Sequence, residues 1–233
     1  MSIILEYRHV NKNFGENQVL HDINLQIPAG KVVGVLGKNG SGKSTLFKLA
    51  NDLLTATSGQ VLVDGQAVGV VTKQIVSYLP ERTYLEPGLR VSDVIKIFAT
   101  FYTDFDQEKA EKLLIDLQLD KNMRLAKMSK GMKEKVQLVM VMSRRAKLYI
   151  LDEPLGGVDP ASRDYILQTI LQNFNREATL LISTHMIADI EKILDEVIMI
   201  DQGKIVLQEN AEALRQKKQA SIDEIFRRKF YVR

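Results

Sequence analysis

The chain has 233 residues, of which 45% are hydrophobic, and a formal net charge of +3. Such a chain can bury a sizeable core, which excludes disorder, and its small charge argues against nucleic acid as a main ligand. No apolar run approaches the roughly 20 residues that span a bilayer, and the N-terminus lacks the basic flank and long apolar stretch of a signal peptide. We therefore expect a protein of the cytoplasm, and the absence of cysteine fits a reducing compartment but also merely rules out disulfides and thiolate chemistry.

The N-terminal part of the chain predicts short, half-buried strands. Segments 3–8, 17–27 and 60–63 alternate polar with apolar residues. Turn signals accompany them at Pro28-Ala29-Gly30 and at Asp64-Gly65. We therefore expect a small antiparallel sheet packed beside the rest of the molecule.

A second set of segments consists of short apolar runs that suit buried strands. Most of them are separated by stretches with helical spacing, an alternation typical of an α/β fold around a largely parallel sheet. These runs are residues 31–36, 75–79, 147–152, 179–183 and 195–200.

The region between residues 90 and 145 contains no strand candidate. Apolar residues instead recur at i, i+3 and i+4 in Val91–Tyr102, Asp106–Leu117 and Lys130–Arg145. The pattern predicts a helical insertion of about 50 residues in the middle of an α/β fold.

A glycine-rich stretch follows the first apolar run of this set. Its glycines let the backbone curl so that N–H groups and the next helix point at phosphate oxygens. Lys43 can then reach the β- and γ-phosphates, and Ser44 can ligate magnesium. The pattern predicts a nucleoside triphosphate site with Mg²⁺. Its residues are Gly37, Lys38, Asn39, Gly40, Ser41, Gly42, Lys43, Ser44 and Thr45.

The run 147–152 ends in two adjacent carboxylates, Asp152 and Glu153. Paired acids after a strand often form a solvated loop. In an enzyme with a P-loop, however, an aspartate at a strand end lies where magnesium must be held, and the next acid can take a proton from an attacking water. We therefore assign Asp152 to the metal and Glu153 to the general base.

These segments predict one α/β domain over residues 1–233, with a P-loop NTPase (RecA-like) core, an N-terminal antiparallel β subdomain and an inserted α-helical subdomain. The core with its β subdomain takes about 1–89 and 146–210, and the helical subdomain about 90–145. A C-terminal helical tail takes about 211–233. The tail carries a capping-box pattern from Ser221 and several basic residues, which could meet anionic lipid or a partner or simply face solvent.

An ordered series of further motifs identifies the chain as similar to the ATPases of ABC transporters. The series resembles, in turn, that family's signature motif, its D-loop and its switch histidine. The motifs are Met128-Ser129-Lys130-Gly131-Met132, Gly156-Gly157-Val158-Asp159 and Ser183-Thr184-His185.

The resemblance implies that the signature residues contact ATP bound to a second ATPase subunit, so that a homodimer or heterodimer closes around two ATP molecules. It assigns ATP contacts to Ser129, Gly131 and Asp159, and γ-phosphate and water sensing to His185. It also places Phe14 against adenine. Seen alone, Ser129 would be a plain helix N-cap and Phe14 an ordinary core residue.

Two departures from the family pattern matter. Lys130 and Met132 replace a glycine and a glutamine of the usual signature. Glu81 stands where the family has its Q-loop glutamine, and as a carboxylate it could ligate magnesium or merely sit on a solvated turn after Pro80. Three features together resemble bacterial subunits that work with a separate membrane permease, often for export: the Leu79-Pro80-Glu81 form, the Ser129-Lys130-Gly131-Met132 signature and the stretch from Tyr102 to Asp106.

The resemblance therefore implies an ATP-hydrolysing subunit at the cytoplasmic face of a membrane. It would be bound there through its permease and would drive export. The alternative is a soluble ABC ATPase of DNA repair or translation. That class usually shows tandem cassettes, zinc-binding cysteines or strongly basic insertions, and the sequence has none of these.

Overall fold

The computed structural model of the chain describes residues 2–156, 160–175 and 177–231. Its strands are β1 (Ile3–Phe14), β2 (Asn17–Pro28), β3 (Val32–Leu36), β4 (Ser58–Val63), β5 (Gln66–Ala67), β6 (Val76–Leu79), β7 (Leu148–Asp152), β8 (Thr179–Ser183), β9 (Glu196–Asp201) and β10 (Lys204–Asn210). Its α-helices are α1 (Lys43–Ala50), α2 (Val70–Lys73), α3 (Val91–Phe101), α4 (Gln107–Asp116), α5 (Lys130–Met142), α6 (Pro160–Asn173), α7 (Ile187–Ile190), α8 (Ala211–Lys218) and α9 (Ile222–Phe230). Within the described residues, every helix is too short or too polar to cross a membrane.

The N-terminal strands form an antiparallel sheet in the order β2-β1-β4-β5, as the alternating pattern predicted. Strand β2 is close to its predicted bounds, whereas β1 is longer than expected because its pairing with β2 continues to Phe14, opposite Asn17. A tight turn at Gly15 and Glu16 joins them, and Gly15 has a φ of +58°, which glycine adopts without steric cost. The α/β fold with its separate antiparallel sheet is confirmed.

The larger sheet has the strand order β10-β9-β3-β8-β7-β6. Strands β9, β3, β8, β7 and β6 pair in parallel, and β10 adds an antiparallel edge. We did not predict β10, because it alternates half-buried with exposed residues and lacks an apolar run. The carboxyl ends of β3, β7 and β8 meet at one edge of the sheet, where parallel sheets usually place their ligands.

The two faces of this sheet pack against different parts of the molecule. Val35 of β3 and Ile150 of β7 belong to a buried cluster with Leu46 and Phe47 of α1. The opposite face contributes to a second cluster, which includes buried residues of α3, α4 and α5. The sheet therefore separates the helix that follows the P-loop from the helical region between β6 and β7.

The helical region consists of α3, α4 and α5, close to the three predicted segments. The prediction that the third helix continues to Arg145 was wrong, since α5 ends at Met142. Arg144 leaves the helix because its guanidinium donates to the carboxylate of Asp104 (Nε–Oδ1 3.0 Å) and to the carbonyl oxygens of Gln74 and Val76 (2.6 Å each). Its guanidinium also stacks on Tyr102, 3.8 Å from the ring centroid.

The Arg144 contacts give a physical reason for part of the stretch that suggested a subfamily. Tyr102 and Asp104 hold a buried arginine that also binds the chain just before and within β6. Asp106 accepts from the backbone N–H of Lys109 at the start of α4 and pairs with Arg145. The stretch therefore joins the helical region to the large sheet.

The C-terminal helices pack onto the segment that follows β8. The predicted capping box is present, because Ser221 Oγ accepts from Glu224 N (3.1 Å) and the Glu224 carboxylate accepts from Ser221 N (3.0 Å). Phe226 and Phe230 are buried, whereas Arg227 is exposed and pairs with Asp223. The predicted role of the basic residues stays a prediction, and Arg233 lies outside the described residues.

Candidate functional site

The glycine-rich stretch lies between the end of β3 and the start of α1, as the sequence predicted. A Cβ atom on Gly37 would lie 2.5 Å from the carbonyl oxygen of Ile200, so no larger residue fits there. Gly42 has a φ of +110° immediately before the helix, a backbone conformation that L side chains rarely adopt. The two glycines therefore fix a tight loop that directs the N-terminus of α1 outward, the arrangement that binds phosphate groups.

Lys43 is buried in this loop, with 6% of its surface exposed. Its ammonium donates to the carbonyl oxygens of Gly37 (2.7 Å) and Lys38 (3.2 Å). Burial lowers the pKa of Lys43, and the negative charges of Glu153, Asp152 and Glu81 oppose that shift. A buried cation facing carboxylates beside an amide-lined loop suits a triphosphate that carries a magnesium ion.

Ser41 supplies a second sign that the loop is built for a ligand. Its side chain is buried, and no group in the described part of the chain hydrogen-bonds its Oγ. Buried polar atoms without a partner are uncommon in native proteins. The residues of the loop therefore fit a bound anion.

Asp152 lies at the end of β7, beside Ser183 at the end of β8. The Ser183 hydroxyl donates to Asp152 Oδ1 (2.6 Å), and Ser183 Oγ accepts from the backbone N–H of Glu153 (3.1 Å). Both Asp152 and Ser183 are buried. Ser183 thus orients both acidic residues, a role that we did not predict although it opens the Ser183-Thr184-His185 motif.

Glu153 and His185, the two predicted catalytic residues, are in direct contact. The Nδ1 atom of His185 lies 2.9 Å from Glu153 Oε2, and the His185 backbone N–H donates to the same oxygen at 3.3 Å. Glu153 has a φ of +52°, in the left-handed region that is costly for a residue with a side chain. The hydrogen bonds of Glu153 to Ser183 and His185 hold it in that conformation.

A cleft of about 1110 Å³ lies over the loop and holds most of the predicted site residues. Its lining residues come from the glycine-rich loop, from the segment after β6, from the ends of β7 and β8, and from β2 and the start of α5, which contributes Lys130 and Glu134. They include Asn39, Gly40, Gly42, Lys43, Ser44, Thr45, Glu81, Glu153 and His185. The cleft is large enough for a nucleotide and carries donors for phosphate at one end.

The predicted metal ligands Ser44, Glu81 and Asp152 line one further cavity, of about 970 Å³. The described residues contain no group of three or more His, Cys, Asp or Glu side chains that could hold a metal by themselves. Two carboxylates and a hydroxyl fit magnesium, which usually binds one or two carboxylates together with phosphate oxygens and water. The three residues can therefore hold Mg²⁺ with a nucleotide.

Ser129 and Gly131 are not in the main cleft. They line a smaller cavity of about 230 Å³, together with Glu81, Asp152 and Glu153. Ser129 is exposed at the N-terminus of α5, where its hydroxyl accepts from Met132 N at 3.2 Å. The N-cap interpretation of Ser129 is thus correct in this chain, and it leaves the hydroxyl on the surface.

Two predicted ATP contacts remain. Phe14 lies at the end of β1, with 47% of its surface exposed and Lys12 Nζ 4.9 Å from its ring centroid, so it is not a core residue. Strand β2, which follows Phe14 after the tight turn, contributes Asn17 and Val19 to the lining of the main cleft. Asp159 lies outside the described residues.

Comparisons with known proteins agree with this geometry. The family model described as ABC transporter matches residues 20–156, more than half of the chain. The ABC transporter ATP-binding protein YtrB of Bacillus subtilis is 29% identical over 87% of this chain and 70% of its own length. SsuB of Zymomonas mobilis, an aliphatic sulfonates import ATP-binding protein, is 32% identical over 88% of this chain and 85% of its own.

A solved structure, described as the ATP binding subunit of an ABC transporter, shares the fold. It superposes with a TM-score of 0.85 at 26% identity, and the match covers 96% of this chain and 98% of the other. The predicted α/β P-loop fold and the predicted ATPase chemistry are therefore confirmed. The chain belongs to the ABC transporter family, as an ATP-binding subunit.

Proposed function

We propose that two copies of this subunit, or one copy and a related subunit, close around two ATP molecules and drive a separate membrane permease from its cytoplasmic side. One observation carries the proposal. The chain concentrates Lys43, Asp152, Glu153 and His185 at one sheet edge, while it leaves Ser129 exposed at the start of α5. A surface-exposed hydroxyl at a positive helix end suits a phosphate brought by another subunit.

The site residues of one chain have different roles in the proposed hydrolysis. Lys43 and the loop N–H groups would bind the phosphates, and Ser44, Asp152 and Glu81 would hold Mg²⁺, which would supply positive charge to the triphosphate. Glu153 accepts the proton of the attacking water. His185 hydrogen-bonds the Glu153 carboxylate and so directs it, and Ser183 fixes Asp152.

The proposal is tested with the purified full-length chain and Mg²⁺-ATP. We expect nucleotide binding and hydrolysis, with a rate that rises more steeply than protein concentration because the active form is a dimer. A rate strictly proportional to concentration over the whole dilution series, from a monomeric protein, would contradict the two-subunit site.

The surface proposed for the permease is an apolar groove between the large sheet and the helical region, and it is the apolar part of the same cavity of about 970 Å³ that the predicted metal ligands line. Large hydrophobic side chains stand exposed along it, among them Leu53, Val70, Tyr84, Ile97 and Phe101. Exposed apolar patches of this kind mark protein-binding surfaces. We assign the groove to a cytoplasmic segment of the permease.

The groove assignment predicts the behaviour of Phe101→Glu, which places a charge in the centre of the apolar surface. We expect the variant to keep its own ATPase activity and to lose co-purification of a multispanning membrane protein. The control is Ile115→Glu, because Ile115 is 75% exposed on α4 and is not part of the groove lining. Equal recovery of the membrane protein with both variants would remove the groove from this role.

We further propose that the transporter exports its substrate. The support is the sequence form Leu79-Pro80-Glu81 with the stretch from Tyr102 to Asp106, and relatives named for lantibiotic transport and linearmycin resistance. The import protein SsuB is equally similar, so transport direction needs its own test. If the transporter exports, inside-out membrane vesicles that contain the subunit should accumulate compounds in an ATP-dependent manner, and vesicles with Glu153→Gln should not.

The alternative, a soluble ABC ATPase of DNA repair or translation, has less support. The charge of +3 offers little for nucleic acid, and YtrB, GlnQ, SrtF and SsuB all carry transport-related names. Co-purification decides between the two classes. A ribosome or DNA in place of a membrane protein would favour the alternative.

A further inference from the structure

Tyr78 carries a buried hydroxyl that the contacts within the chain leave unused. The oxygen atom is inaccessible to solvent, and no group in the described residues hydrogen-bonds it. By contrast, Tyr7 and Tyr149 are fully buried and donate to the carbonyl oxygens of Leu46 and Arg144. Because buried hydroxyl groups normally have hydrogen-bond partners, we expect the Tyr78 hydroxyl to bind a group from outside the chain.

The sheet register shows where this side chain lies. Tyr78 pairs with Ile150 in the adjacent strand β7, and Asp152 is two residues further along that strand. Side chains two residues apart in a strand lie on the same face, so Tyr78 and Asp152 share one face of the sheet. It is the face that packs against α1, the helix that begins with Lys43 and Ser44.

The cavity beside Tyr78 joins two functional surfaces. Its lining includes Ser44, Glu81 and Asp152, the three predicted metal ligands, and it extends to Ile97 and Phe101 of the apolar groove. A tyrosine phenol, with an ordinary pKa of about 10, is protonated at neutral pH, so the Tyr78 hydroxyl has one hydrogen to donate and lone pairs with which to accept.

We propose that Tyr78 is a positioning residue of the magnesium–nucleotide site, an inference that rests on the proposed function. Its hydroxyl accepts a hydrogen bond from a water molecule of the magnesium shell. Magnesium usually keeps several of its waters in such sites, and those waters need acceptors in the protein. The Tyr78 hydroxyl, which has no partner among the described residues, supplies such an acceptor.

Tyr78→Phe removes the hydroxyl and nothing else. Binding is measured in the Glu153→Gln background, so that hydrolysis does not consume the ATP, by calorimetric titration of the full-length chain with ATP in excess Mg²⁺ and again in EDTA. We expect Tyr78→Phe to weaken ATP binding in Mg²⁺ by about three- to tenfold and to leave binding in EDTA unchanged. Its unfolding temperature without ligand should stay the same or rise, since no existing hydrogen bond is lost.

The matched control is Tyr149→Phe, on the opposite face of the neighbouring strand. It loses a formed hydrogen bond, so its unfolding temperature should fall while its ATP affinity in Mg²⁺ stays that of the parent. Equal affinities of the parent and Tyr78→Phe in Mg²⁺ would overturn the assignment, and so would an equal loss in Mg²⁺ and EDTA. Failure of the parent itself to bind Mg²⁺-ATP would instead overturn the proposed function, and the Tyr78 assignment with it.

Discussion

The two ends of the proposed site differ in how the chain holds them. At the edge of the large sheet, Lys43 and Asp152 are buried and each has hydrogen-bond partners that fix it before any ligand binds. At the start of α5, Ser129 and Lys130 are exposed, and the Ser129 hydroxyl accepts the capping bond from Met132 N of its own helix. One chain thus preorganises the phosphate and metal end, and in the proposed function a second subunit completes the signature end.

The largest effect should come from the preorganised end. Glu153→Gln removes the group that accepts the proton of the attacking water, so ATPase turnover should fall by ~10²- to 10⁴-fold. ATP binding should persist, and the variant should accumulate as an ATP-bound dimer in size-exclusion chromatography. Unchanged steady-state turnover would exclude Glu153 as the general base.

A pair of variants separates the two ends. Lys43→Ala should weaken ATP binding by ~10- to 100-fold, since a charge-assisted contact with the phosphates is lost. Ser129→Arg should abolish ATPase activity and leave the ATP affinity of the monomer nearly intact, because it puts bulk and charge between subunits. Fluorescent-nucleotide titration of dilute protein measures both affinities. An equal loss of affinity in the two variants would contradict the division into two ends.

The link between the helical region and the sheet should appear in stability. The Arg144 side chain is 3% exposed, so Asp104→Ala leaves a buried charge without its partner and should cost about 3 kcal/mol in the free energy of unfolding. The control is Asp64→Asn, because the Asp64–Lys147 pair is exposed and should contribute at most ~1 kcal/mol. Urea unfolding of both variants measures the difference. Equal small changes would mean that the helical region is held by other contacts.

The smallest effect concerns Glu81, which borders both the main cleft and the cavity of the predicted metal ligands. Glu81→Gln should remain substantially active, since an amide oxygen can still ligate magnesium. Glu81→Ala should require more Mg²⁺ for half-maximal hydrolysis. Magnesium titrations of the ATPase rate compare the wild type with both variants, and three superimposable curves would remove Glu81 from the metal site.

The sequence predicted those parts of the molecule that depend on local pattern. Buried strands such as β3 and β7 appear as apolar runs, and the loop from Gly37 to Thr45 is recognisable from its glycines, its lysine and its serine. Strand β10 was missed because its stability depends on pairing with β9 rather than on an apolar run.

The remaining features depend on contacts between distant segments. The Ser183 hydroxyl reaches Asp152 only through the register of β7 and β8. The early end of α5 depends on carbonyl oxygens of Gln74 and Val76, which are about seventy positions earlier in the chain. Neither relation leaves a signal in the residues around it, so a local pattern could not reveal them.

The central claim, that each active site combines two chains, is tested most directly by mixing two inactive variants. Glu153→Gln and Ser129→Arg are purified separately, mixed in equal amounts and assayed with Mg²⁺-ATP. In a mixed dimer, the Ser129→Arg chain supplies an intact P-loop and Glu153, and the Glu153→Gln chain supplies an intact Ser129. The mixture should therefore recover up to about a quarter of the wild-type rate, because about half the dimers are mixed and each has one intact site. A mixture as inactive as the two separate variants, under conditions in which mixed dimers are shown to form, would contradict the claim.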